Sequence, residues 1–268
     1  MRGEQIARAL CDIDDKAVCV HYNDVLQVKN AVVIWVRRSM INWRMKAISE
    51  NDNIQIYDPL DRLNELFNDK ISPYINAVIY PSETQYNNIK LNGNIKYKYY
   101  LHHHYDPRLK MYKHDHFELG YWGYRTSAVN VFNFIKQQNR FTSARSGEYP
   151  PDDFFQRVSC HYSVRDVERG LGWRPTTKIS TAAACGCNII LSRDAISEEL
   201  LPNDYPYFID GCGYEDTQRM IDFARMTYGT ELWNYGLSCM DKVREKTNIK
   251  ECAKLYGNII DDICDRLK

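Results

Sequence analysis

Short apolar runs recur along this 268-residue chain, and stretches with helical spacing separate them. Such runs lie at 17–21, 31–36, 53–57, 77–80 and 96–101, then at 118–122, 140–144, 159–163, 188–191 and 207–210. Their length and their valine, isoleucine, tyrosine and phenylalanine content read as buried strands. Helical patterns fall at 3–10, 39–49, 62–67, 84–91, 129–138 and 152–156, and again at 216–228, 231–245 and 249–267. Strand and helix in regular alternation argue for parallel sheets with helices on both faces. The segment 108–116 is polar, basic and irregular, so it reads as a linker. The expected organisation is an α/β chain of two Rossmann-like domains, 1–115 and 116–248, with a terminal helix at 249–268. The first domain opens directly on a helix, so it is expected to lack its initial strand.

Composition removes several function classes. Lysine plus arginine equals aspartate plus glutamate, 35 each, so net charge gives no argument for nucleic acid or an anionic membrane. Nine cysteines are scattered without paired CxxC spacing. An odd count with several inside apolar runs fits buried free thiols in a reducing cytoplasm, not a disulfide framework or zinc site. No signal peptide opens the sequence, and no apolar run reaches the length of a membrane span.

The stretch 174–201, RPTTKISTAAACGCNIILSRDAISEELL, carries the most chemistry. It reads as loop, small-residue helix, glycine turn, apolar strand and acidic helix. Lys178, Ser180 and Thr181 sit where the first helix begins. Ala182, Ala183 and Ala184 let it approach a sheet closely, and Gly186 supplies the positive φ that ends it. A helix start with spare N–H groups, a lysine and hydroxyls is a seat for phosphate.

That stretch resembles the nucleotide-sugar half of GT-B-fold glycosyltransferases (glycosyl transferase group 1-like), where the run Lys-x-x-Glu-Ala-x-Ala-Cys-Gly-x-Pro-Val-Ile-x-Ser is common. Lys178, Ala182, Ala184, Cys185, Gly186, Ile189, Ile190 and Ser192 match it. Thr181 and Trp173 stand where retaining members usually carry glutamates, and Asn188 replaces the proline. A two-glutamate retaining site is therefore not carried over. The resemblance implies two Rossmann-like domains facing a cleft, with a nucleotide-sugar donor on the second. Lys178 and the amides near Ser180 and Thr181 would hold the diphosphate. Arg165 and Arg125, each following a strand, could reach the same anion. Glu198 or Glu199 could accept from a ribose. No cofactor and no metal are expected, the nucleotide sugar being a substrate.

In the first domain, His102-His103-His104-Tyr105-Asp106 is the densest polar cluster. His103, His104 or Asp106 could act as general base on an acceptor hydroxyl. Three consecutive histidines on an extended chain alternate faces and cannot converge on one ion. His114 and His116 read as solvated linker residues. Asp58 and Asp61 are spaced one residue too widely for an Asp-x-Asp metal motif. Glu215 and Asp216 read as first-turn helix acids. Basic and aromatic residues interleave at 37–46 and 96–113, where a nucleic acid or lipid-linked acceptor could dock. The expected activity is sugar transfer to a glycan, lipid-linked sugar or modified nucleic-acid base. The alternative is a non-catalytic module that binds a nucleotide sugar or a partner.

Overall fold

The structure, a computed structural model, describes residues 2–13, 17–18, 20, 24–36, 42–60, 73–90, 95–123, 127–137, 141–144, 152–166 and 177–267. The chain divides into two compact units. Unit 1 joins residues 1–104 to 173–175 and 247–268; unit 2 takes 105–172 and 176–246.

Unit 1 holds a parallel sheet of β1 (Val32–Val36), β2 (Ile54–Asp58), β3 (Ala77–Tyr80) and β4 (Tyr97–Tyr100), in that spatial order. Each strand therefore neighbours the next in sequence. Alternation sends Trp35, Tyr57, Val78 and Tyr80 to one face, where they pack with Met45 and Ile48 of α2 (Asn42–Ser49). Ile56, Ala77 and Ile79 face the other way. There they meet Ile6 and Leu10 of α1 (Arg2–Cys11) and the apolar stripe of the last helix. Gln55 is fully buried and fully used: its Oε1 accepts from Trp35 Nε1 at 3.0 Å, and its Nε2 donates to the Met45 carbonyl at 2.8 Å. The helix α3 (Glu83–Asn88) starts at Ser82, whose hydroxyl accepts from the Gln85 amide.

Among the described residues, no strand pairs with the outer edge of β1. Four of its five residues are only half-buried, whereas all of β3 is buried. The expected strand at 17–21 does not form over its described residues. Ala17, Val18 and Val20 are irregular, and Val18 is 73% exposed. Local valine content favours a strand only where a sheet edge receives it. The expected helix at 62–67 lies outside the described residues.

Unit 2 carries β5 (Leu119–Trp122), β6 (Phe141–Ala144), β7 (Cys160–Ser163), β8 (Asn188–Ser192) and β9 (Phe208–Ile209), all parallel, in the order β6-β5-β7-β8-β9. Its helices are α4 (Val131–Gln137), α5 (Asp152–Arg157), α6 (Thr177–Ala184), α7 (Ala195–Leu200), α8 (Tyr214–Met226) and α9 (Glu231–Lys246). The last helix, α10 (Ile249–Leu267), returns to unit 1. Cys252, Ala253, Tyr256, Ile259 and Ile263 form its buried stripe.

Local chemistry explains the joints of unit 2. The three alanines of α6 are at most 3% exposed, and α6 packs between the sheet and α9. Gly186 ends the turn at φ 72°. Asn188, in place of the proline of the resembling run, donates from Nδ2 to the Trp233 carbonyl at 3.1 Å and so ties β8 to α9. Asp194 and Ser197 form a reciprocal capping box at the start of α7. Glu215 and Asp216 occupy the first turn of α8, as acids complementing the helix dipole do.

Candidate active site

The strand order of unit 2 reverses beside β5. The chain goes from β5 outward to β6, then crosses back to β7 on the other side of β5. Such a switch point, at the carboxyl ends of the strands, is the usual seat of ligands in open α/β sheets. Gly123 follows β5 with φ 146°, and Val164 and Arg165 follow β7. Ser192, at the end of β8, accepts from the Arg165 amide at 2.7 Å and donates to its carbonyl at 2.8 Å. The backbone beyond β7 is thereby fixed to β8.

Lys178 enters this region from the first turn of α6. Its Nζ lies 3.8 Å from the centroid of the Tyr121 ring. The place of a Cβ on Gly123 is 3.3 Å from the same nitrogen. The ammonium is therefore held at the carboxyl end of β5 beside a bare backbone. Ser180 and Thr181 lie further along the helix and are buried, at 0% and 6% exposure. By helical pairing, the Thr181 amide belongs to the Thr177 carbonyl, so the spare N–H groups are those nearer the start. Arg165 is half-buried. Arg125 lies outside the described residues.

At the far edge, Arg193 donates from Nη1 to Glu198 at 2.9 Å and from Nε to Asp210 at 3.1 Å, with its guanidinium over Phe208. Glu198 thus sits at the carboxyl ends of β8 and β9 already in an ion pair. Glu199 is half-buried, and its carbonyl accepts from Lys246.

Sequence reasoning missed three residues on β5 and β7, two of them near Lys178. Tyr121 is fully buried beneath it. His161, on β7, is 4% exposed, stacks on Phe155 and has no partner for Nε2 among the described residues. Burial pushes its imidazole down to about 3, with His114 and Lys178 adding to the effect, so it is neutral. Trp122 packs edge-on against Phe155 on the same face. The pairing of Leu119 with Cys160 and of Gly120 with His161 brings these strands together, and no local pattern announces it.

The candidates of the segment 102–106 are differently placed. His102 and His104 are 7% and 2% exposed. His103 is half-buried, and its Nδ1 lies 2.6 Å from the His104 carbonyl. A carbonyl only accepts, so Nδ1 carries the proton and Nε2 is the basic nitrogen. Asp106, in unit 2, receives the Arg108 guanidinium through Nε at 3.0 Å and Nη2 at 2.6 Å, plus the Arg108 amide at 3.0 Å.

One reading is corrected. His114 is not a solvated linker residue. It is half-buried, its Nε2 lies 3.5 Å from Cys187 Sγ, and its carbonyl accepts from Tyr228 at 2.9 Å. The segment 108–116 lacks regular structure yet is fastened to unit 2 because its backbone finds partners there, as with the Tyr112 amide on the Cys185 carbonyl. His116 is exposed, beside Asp115. Asp58 is fully buried and accepts from the Tyr256 hydroxyl, while Asp61 lies outside the described residues. No group of three His, Cys, Asp or Glu placed to hold a metal occurs among the described residues. No described helix is long and apolar enough to cross a membrane.

Neither protein-family models nor curated protein sequences match this chain. Solved structures do. Anabaena Alr3699/HepE, in complex with UDP, superposes with a TM-score of 0.60 over 96% of this chain and 82% of that one, at 8% identity. T4 phage BGT, with its UDP-glucose substrate, gives 0.58 over 96% and 93%, at 10% identity. A glycosyltransferase from Rickettsia africae ESF-5 gives 0.57 over 97% and 81%, at 11% identity. The fold is GT-B. T4 phage BGT is also seen with UDP and Mn2+. At these identities the likeness fixes the GT-B architecture, and the residues must be argued from their own geometry.

Proposed function

We propose that this GT-B chain transfers a sugar from a nucleotide-sugar donor to an acceptor hydroxyl. The observation that carries the reading is the position of Lys178: an ammonium on the first turn of α6, beside Gly123, where the strand order of unit 2 reverses. A departing nucleoside diphosphate gains negative charge, and preorganised cations and helix amides lower the barrier most where that charge develops. Lys178 and Arg165 supply the cations, with Arg125 as a third candidate. The amides leading to Ser180 and Thr181 add the helix dipole. Glu198, oriented by Arg193, is better placed than Glu199 to accept from a ribose. UDP is the first nucleotide to test, because Anabaena Alr3699/HepE and T4 phage BGT are both seen with it.

The acceptor base is proposed in unit 1. His103 suits it best, since the His104 carbonyl fixes its tautomer and leaves Nε2 basic. His104 is more deeply buried, and Asp106 is ion-paired with Arg108. The acceptor is a glycan, a lipid-linked sugar or a modified nucleic-acid base. The transfer is proposed to need no metal, Lys178 and Arg165 meeting the diphosphate charge. Activity that survives EDTA supports this; activity restored only by Mn2+ overturns it.

The decisive experiment is calorimetric titration with UDP-, GDP-, ADP- and TDP-sugars, followed by turnover with a panel of acceptors. A selective donor lost in Lys178→Ala supports the site. Normal donor binding by Lys178→Ala overturns it. The non-catalytic reading draws on Trp173 and Thr181, where retaining relatives carry glutamates. A His103→Ala variant that binds donor but has lost turnover excludes that reading.

A further inference from the structure

We propose that Tyr121 is a positioning residue for Lys178, and that Gly123 keeps the space in which the ammonium meets a diphosphate. The inference rests on the donor-site reading above. Tyr121 lies on β5, is fully buried, and presents its ring to Lys178 Nζ at 3.8 Å from the centroid. Ordinary aromatic cores offer such a ring to carbon. Here it is offered to a charge, at a range where the negative face of the ring attracts a cation and water is largely displaced. Lysine has a long, flexible stem, and its four torsions cost entropy when an anion must immobilise them. A ring that already holds the ammonium removes part of that cost before the ligand arrives.

Gly123 completes the seat. A Cβ there would stand 3.0 Å from the Tyr121 hydroxyl and 3.3 Å from Lys178 Nζ. Its φ of 146° also lies where side chains are rarely tolerated. The seat therefore has an aromatic wall on one side and a bare backbone on the other. It suits a compact dianion better than an extended neutral group, so its contribution is to the diphosphate and not to the nucleoside.

The test uses the whole chain and four probes: UDP, UMP, uridine and inorganic pyrophosphate. Tyr121→Phe keeps the ring and should bind UDP within about twofold of the parent. Tyr121→Leu should bind UDP and pyrophosphate roughly 3- to 30-fold more weakly, the range expected for a cation on an aromatic face, with uridine unchanged. On a Lys178→Ala background, Tyr121→Leu should add nothing, because the two residues act through one another. Equal weakening of uridine and UDP, or full additivity with Lys178→Ala, would mean a structural role only and overturn the proposal.

If the parent chain binds none of the four probes, the donor-site reading fails, and the seat is still read directly. Protons on Lys178 Cε over the ring should resonate upfield in the parent and in Tyr121→Phe, with the signal assigned through Lys178→Arg. Random-coil shifts in both overturn the positioning claim. The parent spectrum alone decides this should Tyr121→Leu not fold.

Discussion

The two sheets of this chain are built from the same strand and helix units, yet among the described residues the strand order reverses in only one of them. In unit 1 every strand neighbours its successor, so the connecting helices follow one another and no reversal occurs among the described residues. The chain beyond β2 and β4 is covered instead: α10 lays Tyr256 onto Asp58 and Cys252 against the His102 carbonyl. In unit 2 the order turns back at β5 and β7, with Lys178 and Gly123 at the carboxyl end of β5 and Arg165 just beyond that of β7. Similar composition thus gives a capped strand end in one unit and an offered one in the other. Topology decides which, because only diverging crossovers leave backbone at strand ends uncovered.

The comparison predicts opposite consequences for the polar groups at the two strand ends. Lys178→Ala should weaken nucleotide-sugar binding by roughly 30-fold or more, as loss of a desolvated charge partner does, with little change in unfolding midpoint. A large fall in stability with binding intact would reverse the roles assigned to the two units. Tyr256→Phe should do the converse. It strips a buried carboxylate of a donor and should cost about 1.5–3 kcal/mol of stability in denaturant titrations, with nucleotide binding unchanged.

Acid should act through His161 in unit 2. Its folded imidazole titrates at about 3, against 6.5 for the ordinary side chain. Between those values the unfolded chain binds a proton that the folded chain refuses, so stability falls as pH drops below about 6.5. From pH 7 to pH 5 the loss due to this one group should reach about 2 kcal/mol at most. His161→Leu should flatten that part of the profile; an unchanged profile would place the acid sensitivity elsewhere. Smallest are the helix caps, where the two units should behave alike. Ser82→Ala and Asp194→Ala should each cost about 1 kcal/mol by thermal unfolding, since each removes one side-chain acceptor from a helix start. A marked difference between them would show that the cap's surroundings outweigh the cap.

Much of the chemistry was legible in the residues of one segment. Lys178, the alanines and Gly186 announce a tight helix on a sheet, and the structure has it. The strand expected at 17–21 does not form over its described residues, and Val18 and Val20 stay exposed, because apolar content alone does not decide whether a segment joins a sheet edge. His114 looked like linker from its polar neighbours, but its partners Cys187 and Tyr228 are 73 and 114 residues away. Asp58 stands too far from Asp61 for an Asp-x-Asp metal motif, and the partner it does have, Tyr256, lies 198 residues on, where no local pattern points.

The sequence by itself determined the elements, their alternation and hence two parallel sheets, because hydrophobic period and turn chemistry act over a few residues. It also determined that a lysine would stand at the start of a small-residue helix. The tertiary structure alone decided which strands are neighbours. That choice set the reversal at β5, placed the Tyr121 ring under Lys178 and His161 beside Gly120, and closed α10 over the ends of the first sheet. Strand order is a long-range property: it is settled by which buried faces fit together, and no window of residues records it.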